Sequence, residues 1–263
     1  MTIYGNYRGK LLSPSHKNIQ LRIKQYERYK DEKFRLKISK EIAKTKIKNS
    51  KIFLQKHQRN NEEIDTQKEI NEIDKILDSI EKAEDIEALN GYEGSAARSY
   101  FQAFGKLFKN DFTFEKRTKR PPKDPVNAIL SLGYTLLFNE LYTAIEAIGL
   151  DPYLGFLHQI EYGRASLAVD LAEEFRFLID GLALTLINKE IIKKEDFLKG
   201  DEDSTYLCEK GRETFYKNYE KKINTELQYK NMTLTYRRIF FHHTEHLARV
   251  IMGEEVYSGF ETR

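Results

Sequence analysis

The chain has 263 residues, with 44 Lys and Arg, 41 Asp and Glu, and one cysteine, Cys208. This length is sufficient for a large hydrophobic core, and a single cysteine excludes a disulfide framework within the chain. The longest apolar run, residues 128–138, is too short to span a bilayer, and the first residues lack the apolar core of a signal peptide. We therefore expect a cytoplasmic protein with no membrane partner.

The small net charge of +3 conceals blocks of opposite sign. Residues 17–59 carry 15 Lys or Arg against 4 Asp or Glu, residues 62–87 carry 3 against 11, and residues 106–123 carry 7 against 2. Two interpretations of the basic blocks stay open. They bind a polyanion such as nucleic acid, or they are solvated faces of helices.

The N-terminal half is predicted to contain a short hairpin followed by helices. A Gly-Asn pair at positions 5 and 6 separates two short β-prone runs, which predicts a β-hairpin within residues 1–17. A helical pattern begins at about Asn18. A second, acidic helix is predicted from Gln67 to Ile86, with Gly91 as its terminator.

Six lysines of the first long helical stretch are spaced by three or four residues, so they lie on one side of it. We call them the lysine face: Lys33, Lys37, Lys40, Lys44, Lys48 and Lys51. So many like charges repel each other unless water or a polyanion compensates them. The lysine face is therefore either solvated surface or a contact for phosphates.

The C-terminal half begins with a basic, proline-rich loop, residues 116–125. Asp124 is predicted to cap the next helix, with Pro125 in its first turn. This apolar helix is predicted to run to about Ile148 and to end at Gly149. Further helices are predicted over residues 161–186, 210–221 and 234–252. The predicted fold class is mainly α: an all-helical domain, residues 18–263, preceded by a short β-hairpin.

Three carboxylates interrupt the apolar pattern of the predicted helix 161–186. Asp170, Glu173 and Glu174 fall within one arc of about 100°, which fits the polar side of an ordinary amphipathic helix. Phe177 falls inside the same arc, so this side is expected to be partly covered. Because a buried carboxylate must be paired, protonated or bound to metal, a metal site that includes His158 is the second interpretation.

The sequence "HHTEH" at residues 242–246 fits the H-x-x-E-H pattern of inverted zinc peptidases. His242 and His246 are one helical turn apart, as two zinc ligands would be. Phe240 and Phe241 precede them, which is typical of a packed helix. A zinc peptidase and a cluster of packed or solvated histidines both stay open here.

Several stretches, in their order along the chain, resemble the CRISPR-associated integrase and endonuclease family called Cas-one. They are "YGNYRGKLLSP", "EGSAARSYF", "KRPPKDPVNAILSLGYTLLFNEL", "GLDPYLGFLH", "GRASLAVDLAEEFR" and "YRRIFFHHTEHLARVIMGEEVY". The resemblance covers nearly the whole chain. It implies an all-helical catalytic domain with one divalent metal, Mg²⁺ or Mn²⁺, and a metal-dependent DNA endonuclease or integrase of spacer acquisition.

The same resemblance assigns the site. The glutamate of "EGSAAR" is Glu93, the histidine of "GFLH" is His158, and the last acid of "DLAE" is Glu173. These three are the predicted metal ligands and catalytic residues, and Asp170 is a supporting residue. Two carboxylates and an imidazole suit magnesium or manganese.

The resemblance also implies partners: double-stranded DNA, a second copy of the chain in a homodimer, and a Cas-two protein. Residues 1–17 correspond to the end of a β-rich N-terminal domain and its linker. The candidate DNA contacts are basic: Lys40, Lys44, Lys48, Arg98, Arg117 and Arg120. A nucleic-acid-binding subunit without catalysis is the alternative function, and the zinc peptidase is a further one.

Overall fold

A computed structural model describes residues 18–61, 63–109 and 111–262. The hairpin predicted within residues 1–17 lies outside these residues. The predicted fold class is confirmed, because the described chain is dominated by α-helices and carries two small antiparallel strand pairs.

The helices of the described chain are α1 (Ile19–Lys30), α2 (Glu32–Arg59), α3 (Gln67–Ile80), α4 (Ile86–Gly105), α5 (Pro125–Ile148), α6 (Ser166–Glu173), α7 (Arg176–Asn188), α8 (Glu209–Ile223) and α9 (Tyr236–Met252). The strands, which the sequence did not predict, are β1 (Phe197–Lys199), β2 (Thr205–Leu207), β3 (Glu226–Tyr229) and β4 (Met232–Thr235). Strand β1 pairs with β2, and β3 pairs with β4. The buried apolar side chains of the helices form one continuous core.

Helix α5 lies at the centre and begins and ends as predicted. The Asp124 carboxylate accepts a hydrogen bond from the Asn127 amide at 2.8 Å, and Pro125 occupies the first turn. Gly149 follows the last turn with a φ of +96°, a left-handed conformation that favours glycine. By length and composition alone α5 could cross a membrane. It packs against α6, α7 and α9, as the core helix of a globular domain does.

Two predicted helix boundaries are wrong. The acidic helix ends at Ile80 rather than at Ile86, and α4 begins at Ile86 because the Asp85 carboxylate accepts a hydrogen bond from the Ala88 amide at 2.7 Å. Gly91 does not terminate a helix but lies inside α4. The cap at Asp85 decides the boundary, and a glycine inside a helix costs only about 1 kcal/mol.

The predicted helix 161–186 is also divided. It forms α6 and α7, which are separated by Glu174 and Phe175. The chain turns at this point, because the Phe175 amide donates to the Ala172 carbonyl at 3.1 Å, a three-residue step. Consequently α6 ends at the predicted metal ligand Glu173.

Candidate active site

Glu93 of α4 and Glu173 of α6 meet at a single cation, the ammonium group of Lys46 on α2. The Lys46 Nζ atom lies 2.5 Å from Glu173 Oε2 and also contacts Glu93 Oε1. The exposed fractions of these side chains are 4% for Glu173, 15% for Lys46 and 24% for Glu93. Two of the predicted ligands, which are 80 residues apart in sequence, therefore share one positive charge.

The Glu173 carboxylate stays ionised in spite of its burial. Burial by itself would raise its pKa, but Arg176, Lys46 and His158 together lower the pKa to about 2. The Arg176 guanidinium lies 2.6 Å from Glu173 Oε1. The other oxygen, Oε2, lies beside the Lys46 ammonium group. Both oxygens of the Glu173 carboxylate therefore face a cation.

The third predicted ligand, His158, is fixed by Asp170. The His158 Nδ1 atom lies 2.7 Å from Asp170 Oδ1. The fully buried Asp170 carboxylate also accepts hydrogen bonds from the amides of Phe156 at 2.6 Å, Leu157 at 3.0 Å and His158 at 3.0 Å. An imidazole that donates Nδ1–H to a carboxylate carries its lone pair on Nε2, the arrangement common for metal-binding histidines.

Gly155 makes room for this carboxylate. A Cβ atom at position 155 would lie 2.8 Å from Asp170 Oδ2 and 2.7 Å from the Ser166 carbonyl carbon. Both distances are shorter than van der Waals contact, so a larger residue would displace Asp170 or the start of α6. The "GFLH" segment thus needs its glycine for packing against Asp170.

The three predicted ligands do not meet at one point in the described residues. In residues 18–61, 63–109 and 111–262, no group of three His, Cys, Asp or Glu side chains lies close enough to hold a metal ion. Glu93 and Glu173 are brought together by Lys46, while the effect of His158 on Glu173 is electrostatic. The donor set of two carboxylates and an imidazole, with a cation already between the carboxylates, fits Mg²⁺ or Mn²⁺. The assignment of the ligands stays a prediction.

Behind Arg176 lies a buried carboxylate, Asp180 of α7. It accepts hydrogen bonds from the hydroxyl groups of Tyr100, at 2.6 Å, and Tyr134. Burial raises the pKa of Asp180 to about 6, although both tyrosines favour its charged form. The Arg176 guanidinium lies 4.7 Å from the centre of the Tyr134 ring. Asp180 therefore links α4, α5 and α7 beside the predicted ligands.

A basic groove opens next to this site. Its cations are Arg117, Lys119, Arg120, Arg164 and Arg176. Arg176 and Tyr134 line both this groove and the small cavity beside Glu93. Burial, and then the neighbouring Arg176, lower the pKa of Lys119. Positive charges crowded in this way indicate an anion site.

The predicted DNA contacts do not all lie in the groove. Arg117 and Arg120 line the groove, and Arg98 is exposed on α4. Arg117 is also structural, because it donates to Asn127 Oδ1 at 2.7 Å and to Ser131 Oγ at 3.0 Å.

The candidate DNA contacts of the lysine face have partners within the chain. Lys40 donates to the Glu81 carbonyl at 2.8 Å, and Lys44 lies 2.6 Å from the Glu81 carboxylate. Lys48 lies 2.7 Å from Glu261. A DNA phosphate would have to compete with these partners, and the role of the lysine face in DNA binding stays a prediction.

The histidines of "HHTEH" have separate partners. His242 Nδ1 lies 3.1 Å from Glu245, the glutamate of the pattern itself, and His246 contacts Glu255. The Ser258 amide donates to His246 Nε2 at 3.1 Å. Both nitrogens of His246 are therefore engaged, which favours a packed cluster over a zinc site.

Comparison with known proteins decides the family. The family model described as "CRISPR associated protein Cas1" matches residues 1–221. The CRISPR-associated endonuclease Cas1 of Leptospira interrogans is 37% identical over 246 residues, which cover 90% of this chain and 97% of the relative. The endonuclease Cas1 1 of Thermodesulfovibrio yellowstonii is 42% identical over 224 residues, which cover 84% of this chain and 70% of the relative.

The chain belongs to the Cas1 family. Solved structures agree: a casposase bound to integration product has a TM-score of 0.88 at 26% identity, covering 97% of this chain and 71% of that one. A partial Cas6-RT-Cas1–Cas2 complex has a TM-score of 0.86 at 27% identity, covering 98% of this chain and 79% of that one. The predicted family and the predicted enzyme class, a nuclease or integrase, are confirmed.

Sequence reasoning on this Cas1-family chain missed Lys46, Arg176 and Asp180. A signal for Lys46 was present, because it lies about 200° around α2 from Lys44 and Lys48. That position places it on the apolar side of the helix, where a lysine needs a buried anion as partner. The pattern could not have identified which anion.

Proposed function

We propose that the chain is a metal-dependent DNA endonuclease and integrase of CRISPR spacer acquisition. The observation that carries this proposal is the convergence of the Glu93 and Glu173 carboxylates on one cation, beside a basic groove. The reaction joins a DNA 3′-hydroxyl to a phosphodiester of the repeat array by transesterification.

Glu93, His158 and Glu173 are the residues that would hold Mg²⁺ or Mn²⁺, with Asp170 orienting the imidazole. When bound, such an ion polarises the phosphodiester and stabilises the attacking and leaving oxygens. Arg176 balances the charge of Glu173 from the opposite side and keeps that carboxylate ionised. The site therefore retains Glu173 as an anionic donor at neutral pH.

The basic groove would hold the DNA backbone. Its guanidinium and ammonium groups bind phosphates independently of sequence. The groove and the cavity beside Glu93 share Arg176 and Tyr134, so a strand lying in the groove would place a phosphodiester next to Arg176, the partner of Glu173. Positioning and charge stabilisation are the main contributions that a protein makes to phosphoryl transfer.

Integration conserves the number of phosphodiester bonds, whereas hydrolysis reduces it by one. In integration, the incoming 3′-oxygen loses its proton and forms a bond to phosphorus, while the bond to the displaced 3′-oxygen breaks and that oxygen takes up a proton. In hydrolysis, water replaces the incoming hydroxyl. Both reactions use the same site and differ in the nucleophile that reaches it.

The partners are part of the proposal. Two of the similar structures are complexes that contain Cas1 and Cas2, which supports a Cas2 protein as partner. A homodimer acting on double-stranded DNA in the cytoplasm completes the proposed function.

The test is metal-dependent cleavage and strand transfer on branched and linear DNA. Glu93→Gln and Glu173→Gln should each reduce the rate by at least about 100-fold with Mg²⁺ or Mn²⁺, since charge stabilisation of the transition state is lost. Glu87→Gln is the control, because Glu87 is exposed on the same helix α4. Circular dichroism checks that each variant is folded.

Three outcomes distinguish the functions. DNA binding without cleavage under any metal would support the alternative of a non-catalytic nucleic-acid-binding subunit. Equal activity in chelator, or in the two glutamine variants, would contradict the metal mechanism. Zinc that is lost on changing both His242 and His246 to Ala would support a peptidase.

A further inference from the structure

Lys46 is an unusual residue to find between two acidic side chains of a proposed metal site. It lies on α2 next to the buried Ile47, and its side chain is 15% exposed. The ammonium group contacts both Glu93 and Glu173. Neighbouring Lys44 and Lys48 point elsewhere and pair with glutamates on the surface.

The energetics of this contact are those of a buried ion pair. Removing charged groups from water is costly unless each has a partner. Glu173 has a second partner in Arg176, whereas the Glu93 carboxylate contacts Lys46. Without a cation between them, the two carboxylates would repel each other at close range. The ammonium group therefore stabilises the metal-free form of this site.

The position of the Lys46 ammonium group is also the position that a shared divalent ion would take, because both glutamates aim an oxygen at it. An ammonium and a divalent ion cannot occupy this place together. We propose that Lys46 is a built-in counter-ion, which holds Glu93 and Glu173 together in the metal-free protein and is displaced when the divalent ion binds. This inference rests on the proposed metal site.

Competition between Lys46 and the metal weakens metal binding to the wild-type chain. Metal binding to the wild-type chain must break the contacts of Lys46 with both carboxylates, and this cost is subtracted from the binding free energy. In a chain with a neutral side chain at position 46 the cost is absent, and the metal also relieves the repulsion between the carboxylates. The neutral variant should therefore bind the metal more tightly, although its metal-free form is less stable.

The experiment measures Mn²⁺ binding to the full chain by calorimetry and by electron paramagnetic resonance. Lys46→Met keeps the length of the side chain and removes its charge, and Lys46→Gln is a polar second variant in case the first does not fold. We expect a Kd for Mn²⁺ about tenfold lower than that of the wild type, equivalent to about 1.4 kcal/mol. Lys56→Met is the matched control, because Lys56 is exposed on the same helix, and it should leave the Kd unchanged.

Thermal unfolding provides an independent readout. The metal-free Lys46→Met chain should unfold at a lower temperature than the wild type, and saturating Mn²⁺ should raise its unfolding temperature by more than that of the wild type. Lys46→Arg keeps the positive charge and should bind Mn²⁺ with a Kd close to that of the wild type. A role in packing alone would not produce tighter metal binding.

The outcomes separate the two proposals. Wild-type binding that is lost in Glu173→Gln, together with an unchanged or higher Kd in the neutral variants, would overturn the role of Lys46 and leave the metal site intact. A wild-type chain that does not bind Mn²⁺ at all would overturn both.

Discussion

Asp170→Asn is the sharpest perturbation of the site, because one buried carboxylate serves four donors. Oδ2 accepts from the amides of Phe156 and Leu157, and Oδ1 accepts from the amide and the Nδ1–H of His158. An asparagine offers one oxygen and one amide group, so its NH₂ must face N–H donors on one side. At least one backbone donor then loses its partner in either orientation.

The expected loss of unfolding free energy follows from these contacts. Hydrogen bonds to a charged group contribute about 1.5–3 kcal/mol each, and a buried donor without a partner costs about 1–3 kcal/mol. Asp170 is fully buried, so water does not replace the lost partners. We expect Asp170→Asn to lower the free energy of unfolding by about 2–5 kcal/mol.

The same change alters the imidazole. If the new NH₂ group faces His158, it donates to Nδ1 and moves the ring proton to Nε2, which removes the lone pair needed by a metal. Loss of such a supporting contact typically weakens metal binding by about 10–100-fold. Asp170→Asn should therefore weaken Mn²⁺ binding even under conditions where the variant is fully folded.

The assay is urea unfolding of the metal-free chain, followed by Mn²⁺ titration at low urea. Asp203→Asn makes the same chemical change at an exposed position and is the control. An unfolding free energy within about 0.5 kcal/mol of the wild type would refute the reasoning, since such values are typical of surface changes.

Two further predictions concern acid stability and DNA binding. Burial is the main cause that raises the pKa of Asp180 from the ordinary 3.8 to about 6. Protonated Asp180 therefore contributes stability at low pH, and this contribution is lost as the pH rises from about 4 to 7. Asp180→Asn should gain up to about 3 kcal/mol relative to the wild type over that range in urea unfolding, and a relative loss would contradict this sign. Changing Lys119 and Arg120 of the basic groove to Gln should weaken binding of all DNA sequences and flatten the salt slope by about 0.9 per phosphate contact. Changing Lys40, Lys44 and Lys48 to Gln should have a smaller effect, because those groups already have partners. A larger effect of the second change would indicate that DNA binds at the lysine face.

The parts of the fold that were predictable are those set by local signals. Asp124, Pro125 and Gly149 determine the ends of α5 through short-range hydrogen bonds and backbone conformation, so position in the sequence is sufficient to find them. Gly91 misled the prediction, because its conformational freedom permits a helix end without requiring one. The strand pairs were missed because they are three or four residues long, too short for a periodic pattern.

The site was predictable only in its residue types. The polar arc of Asp170, Glu173 and Glu174 indicated carboxylates on a partly covered face, and the family resemblance indicated which of them would be a ligand. The partners come from distant positions: Lys46 is 47 residues before Glu93. No local pattern encodes such a pairing, because it depends on how α2, α4 and α6 pack.

The end of α6 explains why so apolar a segment contains three carboxylates. An eight-residue helix is too short to be stable by its own hydrogen bonds, so tertiary contacts must hold it. Asp170 ties it to the "GFLH" segment, and Glu173 ties it to α2 and α7. Glu174 is also fully buried and lies 3.0 Å from His243.

Glu174 further accepts a hydrogen bond from the Phe260 amide at 2.7 Å, in the segment that follows α9. Adjacent residues of a helix end point about 100° apart, so Glu173 can face Lys46 and Arg176 while Glu174 faces α9 and the C-terminal segment. The position of the predicted ligand is thereby fixed from two sides. Because Glu173 and Glu174 are adjacent, a change at His243 or in the segment after α9 that moves Glu174 also moves Glu173. These distant residues therefore help to set the geometry of the site.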